Sequence, residues 1–181
     1  MMMRSKHVIF LIAVLLAAHA TSAFDNEPDG FRGIAWQSAF EDFADEMKFE
    51  SESGDGEHIS YLRDNDKTFI GEIPLKRLEY NYWNGRFSRV HLEAFDSDCH
   101  SLFEAFLDRF GQPNYPVGKG QNRVGVWTGL KTQITFIERG CGAGLSSVVI
   151  NEEQKQLMEA AEAEAEAKAK ALREADKRPD F

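Results

Sequence analysis

Cysteine is scarce in this chain, with two residues, Cys99 and Cys141, among 181. No CxxC pair and no Cys/His spacing occurs, which excludes a finger-type zinc site and a thioredoxin-type redox pair. Basic residues are in the minority, 21 against 30 acidic. Nucleic acid and other polyanions need clustered Lys and Arg, so they are poor partners for such a chain. No apolar run approaches the roughly 20 residues of a bilayer-spanning helix. There is no G-x-S-x-G elbow to expose a nucleophilic serine. Gly118-Lys119-Gly120 and the run Gly140–Gly144 lack the Lys-Ser/Thr ending of a phosphate loop and read as turns. No Asn-x-Ser/Thr acceptor is present, in keeping with a bacterial product.

What is present begins with a leader. Arg4 and Lys6 precede an unbroken apolar run, Val8 to Ala18, and Thr21-Ser22-Ala23 places small residues after it. That order predicts a secretory signal peptide over 1–23, a mature start near Phe24, and a periplasmic or secreted location. After cleavage nothing remains to span a membrane, and no cysteine follows the run to carry a lipid. Without Arg4 and Lys6 the balance becomes 19 basic against 30 acidic residues. In an oxidising compartment Cys99 and Cys141 are candidates for one disulfide.

Residues 24–150 have the length and aromatic content of a single α+β domain, with 12 of the chain's 14 Phe and all three Trp for its core. Ser38 and Glu41 have capping-box spacing, and Phe40, Phe43 and Met47 share a helical face, which predicts a first helix near 39–48. Residues 50–57 read as a polar loop, and strand-like segments follow near 58–63, 68–73, 77–82 and 86–94. Asn84-Gly85 is a hairpin signal. A three-residue loop pairing Tyr82 with Arg86 puts Leu78 and Tyr80 on the face of Val90 and Leu92, with Glu79 opposite Arg89. A two-residue turn pairing Trp83 with Arg86 scatters that face, so the bulged hairpin is expected.

The clearest helix follows. Ser97 or Asp96 can cap it; Cys99, Leu102, Phe103, Phe106 and Phe110 form its stripe, and Gly111 with Pro113 ends it. Further strands are expected at 122–128, 132–138 and 145–150, joined by turns that include Gly140–Gly144. The expected architecture is antiparallel sheet packed by two amphipathic helices. The order helix, strands, helix, strands suggests two loosely similar halves. Residues 151–181 form a Glu/Ala/Lys tail, a long exposed helix with i,i+4 pairs Glu164–Lys168 and Glu166–Lys170 and no heptad seam.

His91-x-Glu93, with Asp96, Asp98 and His100 shortly after, is the densest set of potential metal ligands, since alternate strand residues share a face. In the expected register, however, His91 and Glu93 lie on a polar sheet face where charge is ordinary, and the stronger expectation is no metal and no cofactor. No catalytic set assembles. Trp83 at the hairpin tip is expected to be exposed, and with Tyr82 and Arg86 it is the candidate partner-binding group, because Trp is enriched among interface hot spots.

The segment Asp29-Gly30-Phe31-Arg32-Gly33-Ile34-x-Trp36 resembles the opening of a family of small exported bacterial proteins without known activity; Phe110-Gly111-x-Pro113 and Trp127 extend the likeness over roughly Gly30 to Ile150. In that family a Gly often follows the Trp, where this chain has Gln37. The helix-then-strands order is similar to periplasmic modules of outer-membrane assembly and to secreted inhibitor proteins, which implies a fold and no activity. The expectation is a non-enzymatic module whose sheet and hairpin bind a protein partner. A metal-dependent hydrolase using His91, Glu93 and His100, or a small-molecule or glycan binder, are the alternatives.

Overall fold

The computed structural model describes residues 24–54, 56–118 and 123–176. The expected signal peptide, Lys119-Gly120 of one glycine pair and the end of the tail lie outside the described residues. Strands β1 (Gly30–Phe31) and β2 (Ile34–Ala35) form a small hairpin, with Arg32 and Gly33 at φ +47° and +85°. Two left-handed residues in succession are what a two-residue turn between right-twisted strands requires. Only glycine fits at position 30, because a Cβ there would stand 2.1 Å from the Ile34 carbonyl oxygen.

The helix expected at 39–48 is absent. Two 3₁₀ turns, Phe40–Asp42 and Ala44–Glu46, occupy its place and lead directly into strand β3 (Met47–Ser53). The backbone explains this. Gln37 N donates to Phe87 O, Phe87 N to Ser38 O, and Phe40 N to Gly85 O, each at 2.8 Å. Backbone groups around the expected helix start are thus taken by a neighbouring strand, and the Ser38 N–H that a capping box would use donates to Ala35 O at 3.2 Å. Phe40, Phe43 and Met47 still pack on the core, so the apolar spacing was real but the helix was not. The expected loop at 50–57 is mostly β3 and its turn. Its polar composition belongs to an exposed sheet edge, kinked at Glu50 where the register shifts.

Strands β4 (His58–Arg63), β5 (Phe69–Ile70), β6 (Ile73–Trp83) and β7 (Arg86–Ala94) follow. The β6–β7 turn corrects the expected bulged loop: Asn84 and Gly85, at φ +47° and +72°, make a two-residue turn and Trp83 pairs with Arg86. The extra residue sits further along. Ser88 is inserted between the pairs Tyr82–Phe87 and Asn81–Arg89, and its Oγ donates to the Asn81 carbonyl at 2.9 Å. The bulge restores the apolar face, with Leu78 opposite Leu92 and Tyr80 opposite Val90, while Glu79 meets His91 and not Arg89.

Helix α1 (Cys99–Phe110) buries Cys99, Leu102, Phe103 and Phe106 and ends at Gly111, whose left-handed backbone (φ +73°) donates to Leu107 O. Strands β8 (Tyr115–Val117), β9 (Val124–Thr128), β10 (Thr132–Ile137) and β11 (Gly142–Ser147) complete the sheet. The glycine stretch is therefore not all turn: Gly142 and Gly144 lie inside β11, and residues 148–150 start helix α2 (Val148–Asp176) where a strand was expected.

The architecture is α+β with antiparallel pairing throughout. The large sheet runs β3-β4-β6-β7-β11-β10-β9-β8, with β5 beside β6. Each half is a meander, and the two join through their last strands, β7 and β11. Tyr61, Tyr80, Val90, Leu145, Ile134 and Trp127 are successive cross-strand partners, forming one buried row over six strands. Helix α1 covers the second half, with Phe103 and Phe106 against Phe136 at 4.9 and 5.8 Å. The first half is covered by the N-terminal segment instead: Trp36 stacks on Phe87 at 5.0 Å and Phe40 on Tyr61 at 4.5 Å. Thus one of the two expected packing helices is replaced by a strap of β1, β2 and 3₁₀ turns.

Candidate functional site

The same pairing that builds the core row places polar residues on the opposite face. Three rows run across the central strands: Asn81–Arg89–Ser146–Gln133, Glu79–His91–Gly144–Thr135 and Arg77–Glu93–Gly142–Ile137. Because β11 contributes two glycines and a serine, its outward surface lies below that of β7 and β10. The result is a trough of about 300 Å³ with Gly142 and Gly144 as floor, Arg89 and His91 as one wall, and Gln133, Thr135 and Ile137 as the other. At one end the Asn151 amide, from the first turn of α2, donates to Ser146 Oγ (2.9 Å) and Gln133 Oε1 (3.3 Å). A smaller hollow beyond Arg89 is lined by His58, Asn81, Asn151 and Gln154.

The acids of this face are engaged by neighbouring bases. Lys76 donates to Glu93 at 2.6 Å, and this hydrogen bond holds the Glu93 carboxyl below the usual carboxylate range. Arg77 pairs with Glu79 (2.6 Å) and Glu50 (3.0 Å). Arg89 has no carboxylate within ion-pair distance among the described residues. The face of an acidic chain therefore presents an unengaged guanidinium beside a shallow channel.

The expected partner-binding group is placed differently from expectation. Trp83 is not exposed: 4% of its surface is accessible, and Tyr82, on the core side of the sheet, is at 1%. The Arg86 guanidinium lies 5.3 Å from the Trp83 ring centroid and also pairs with Glu153 of α2. Trp83 and Arg86 are partnered within the chain, because α2 returns along the open face toward the hairpin tip.

His91 and Glu93 do share the open face, as alternation requires. His100 belongs to α1, on the covered side of the sheet; its side chain is 71% exposed and lies 3.9 Å from Glu104. With the sheet between them, the three residues form no ligand set, and no group of three or more His, Cys, Asp or Glu among the described residues is arranged to hold a metal. Cys99 and Cys141 are joined, with Cα atoms 5.0 Å apart, tying the start of α1 to the start of β11.

The segment Asp29 to Trp36 ties the strap to the rest of the fold. Arg32, at the β1–β2 turn, pairs with Asp66 at 2.6 Å and donates to the Lys67 and Phe69 carbonyls, while Asp66 also accepts from the Tyr80 phenol. Trp36 Nε1 donates to Thr132 Oγ1 at 2.6 Å, in the other half of the sheet. Gln37 adopts φ +71°, the left-handed conformation that a glycine takes without strain. Sequence reasoning missed the trough, although a signal existed: Gly142, Gly144 and Ser146 alternate with Ala143 and Leu145, the period of a strand with one small-residue face.

Comparison with protein-family models, with curated proteins and with solved structures gives no match for this chain.

Proposed function

We propose that this protein is an exported, periplasmic or secreted, non-enzymatic module that binds a protein partner through the open face of its sheet. The observation that carries this reading is the asymmetry of the sheet. One face is covered by α1 and the N-terminal strap, whereas the other keeps a trough at its centre beside Arg89, which has no ion-pair partner among the described residues. A polar face that α2 leaves open at the trough, with engaged acids, suits an interface that is formed and released rather than a permanent one. The C-terminal helix, exposed over most of its length, acts as spacer or dock. Its first turn belongs to the domain: Ile150 is buried and Glu153 holds Arg86.

The test is site-specific photocross-linking in the native host, combined with fractionation. A photoreactive residue at Thr135, in the trough wall, is expected to give one discrete protein adduct in the periplasmic or secreted fraction. The same residue at Glu104, on α1, should give none. No adduct at Thr135, or identical adducts from both positions, would overturn the reading.

A further inference from the structure

The geometry points to the trough over β11 as the seat of an extended partner segment that presents a carboxylate to Arg89. This rests on the proposed binding role of the open face and names the chemistry of what binds there.

The floor is the first argument. Gly142 and Gly144 have ordinary extended backbone, and a Cβ would meet nothing closer than 3.6 Å at Gly142 and 3.9 Å at Gly144. Neither backbone strain nor internal crowding requires glycine here. A glycine inside a strand weakens it, and where local geometry gives no reason, close approach by another chain is the remaining use. The β3 and β8 edges carry no such feature.

Width selects the shape of the occupant. The walls belong to β7 and β10, the two neighbours of β11, so they stand about 9.5 Å apart, twice the inter-strand spacing. An α-helix with its side chains is about 10–12 Å across and does not enter. An extended chain does.

Charge selects its chemistry. Glu93 is held by Lys76, and Glu79 and Glu50 by Arg77. Arg89 is left as a fork of donors with no acid among the described residues, and His91, Gln133 and Thr135 add polar groups around the same floor. A carboxylate matches a guanidinium in bidentate geometry. A polyanion does not match a chain with formal net charge −9. The end away from Asn151 is bounded by Ile137, 46% exposed. Residues two apart on an extended chain face the same way. The Arg89 and Ile137 rows lie four residues apart along β11, so the segment carries an Asp or Glu at one position and an apolar residue four positions away, lying toward Ile137.

The experiment uses the mature ¹⁵N-labelled protein and three probes: the capped peptide Gly-Asp-Gly-Gly-Gly-Leu-Gly, its Asn counterpart, and inorganic phosphate. The Asp peptide is expected to shift the Gly142 and Gly144 amide signals saturably, and the Asn peptide to bind about tenfold more weakly, as for loss of one charge-assisted bond. Arg89→Ala should weaken the Asp peptide to the Asn level, and Arg89→Lys should restore part of the difference. Gly144→Val should abolish the shifts without lowering the melting temperature, since the space it fills is empty. Equal binding of the two peptides, indifference to Arg89→Ala, or shifts mapping elsewhere would overturn the assignment. Phosphate binding as tightly as the Asp peptide would overturn the extended-segment part in favour of a free anion. A Thr135 cross-link that persists unchanged in Arg89→Ala overturns this inference and leaves the binding role standing, whereas a missing cross-link in the parent protein removes the binding role itself.

Discussion

The two halves of the sheet solve one packing problem in different ways. Both are antiparallel meanders, and both contribute three residues to the buried row from Tyr61 to Trp127. The second half carries its own cover. Helix α1 precedes its strands, packs two aromatic rings, Phe103 and Phe106, on them, and is tied to β11 by the Cys99–Cys141 bridge. The first half has no helix. Its cover is the strap from Phe24 to Glu46, held by ring stacking and by the Arg32–Asp66 pair, and anchored across the seam by Trp36 to Thr132 and by Glu27 to the Thr132 amide at 2.8 Å. The difference teaches that apolar spacing specifies which residues must be buried, but not which element buries them.

Three perturbations break or sharpen this contrast. The largest effect is expected from Trp36→Ala, which removes the stack on Phe87 and the bond across the seam. Loss of a buried Trp costs about 3–5 kcal/mol, to be read from urea unfolding. Hydrogen exchange should then accelerate in β6 and β7 ahead of β9 and β10; uniform acceleration would mean that the halves are one unit. Next comes removal of the bridge by Cys99→Ser with Cys141→Ser, expected to cost about 2–4 kcal/mol. Here exchange should rise first around α1 and β11, the mirror image of the Trp36 result.

The smallest effects concern two neighbouring phenols of the first half. The Tyr80 hydroxyl donates to Asp66, whereas the buried hydroxyl of Tyr82, whose ring packs against Phe40, Tyr61 and Phe87, has no partner among the described residues. Tyr80→Phe should therefore cost about 1–2 kcal/mol at neutral pH, and Tyr82→Phe should be neutral or stabilising. Burial pushes the Tyr82 phenol up to about 12, and burial together with the Asp66 bond raises Tyr80 further. A raised phenol pKa means that the neutral form is favoured by folding. The corresponding stability is complete below the free phenol value of about 10 and is lost as pH rises through the folded values. Alkaline unfolding should thus begin in the first half, and the double Phe variant should flatten the alkaline limb; an unchanged limb would show that other groups govern it.

Much of the fold was legible where local chemistry and burial agreed. Helix α1 was complete in its stripe and its Gly111 stop. The β6–β7 face was legible because burial demands that Leu78 and Tyr80 lie with Val90 and Leu92, whichever turn achieves it. The turn itself was not, because Asn84-Gly85 fits a tight turn and Ser88 absorbs the mismatch one step later. The helix at 39–48 failed for a non-local reason: its backbone groups bond to Gly85 and Phe87, about 50 residues away, which no local pattern encodes. The site was the least legible part. His91 and Glu93 were placed on the polar face correctly, but the trough exists only because β7 lies beside β11. Trp83 was read as exposed because a hairpin tip says nothing about a helix that returns over it from the far end of the chain.

The seam has a consequence for how the chain reaches this structure. Within each meander, strands meet neighbours a short loop away, so their closure is entropically cheap and fast. The pairing of β7 with β11 and the bond from Trp36 to Thr132, 96 residues apart in sequence, are the long-range contacts. The first half is translated first, yet its cover is not fastened until β10 arrives. During that interval the rings of Tyr80, Tyr82 and Phe87 are under a strap held at one side only. The first meander is the stretch that a holding chaperone would meet, and its exposure ends when the last strand docks.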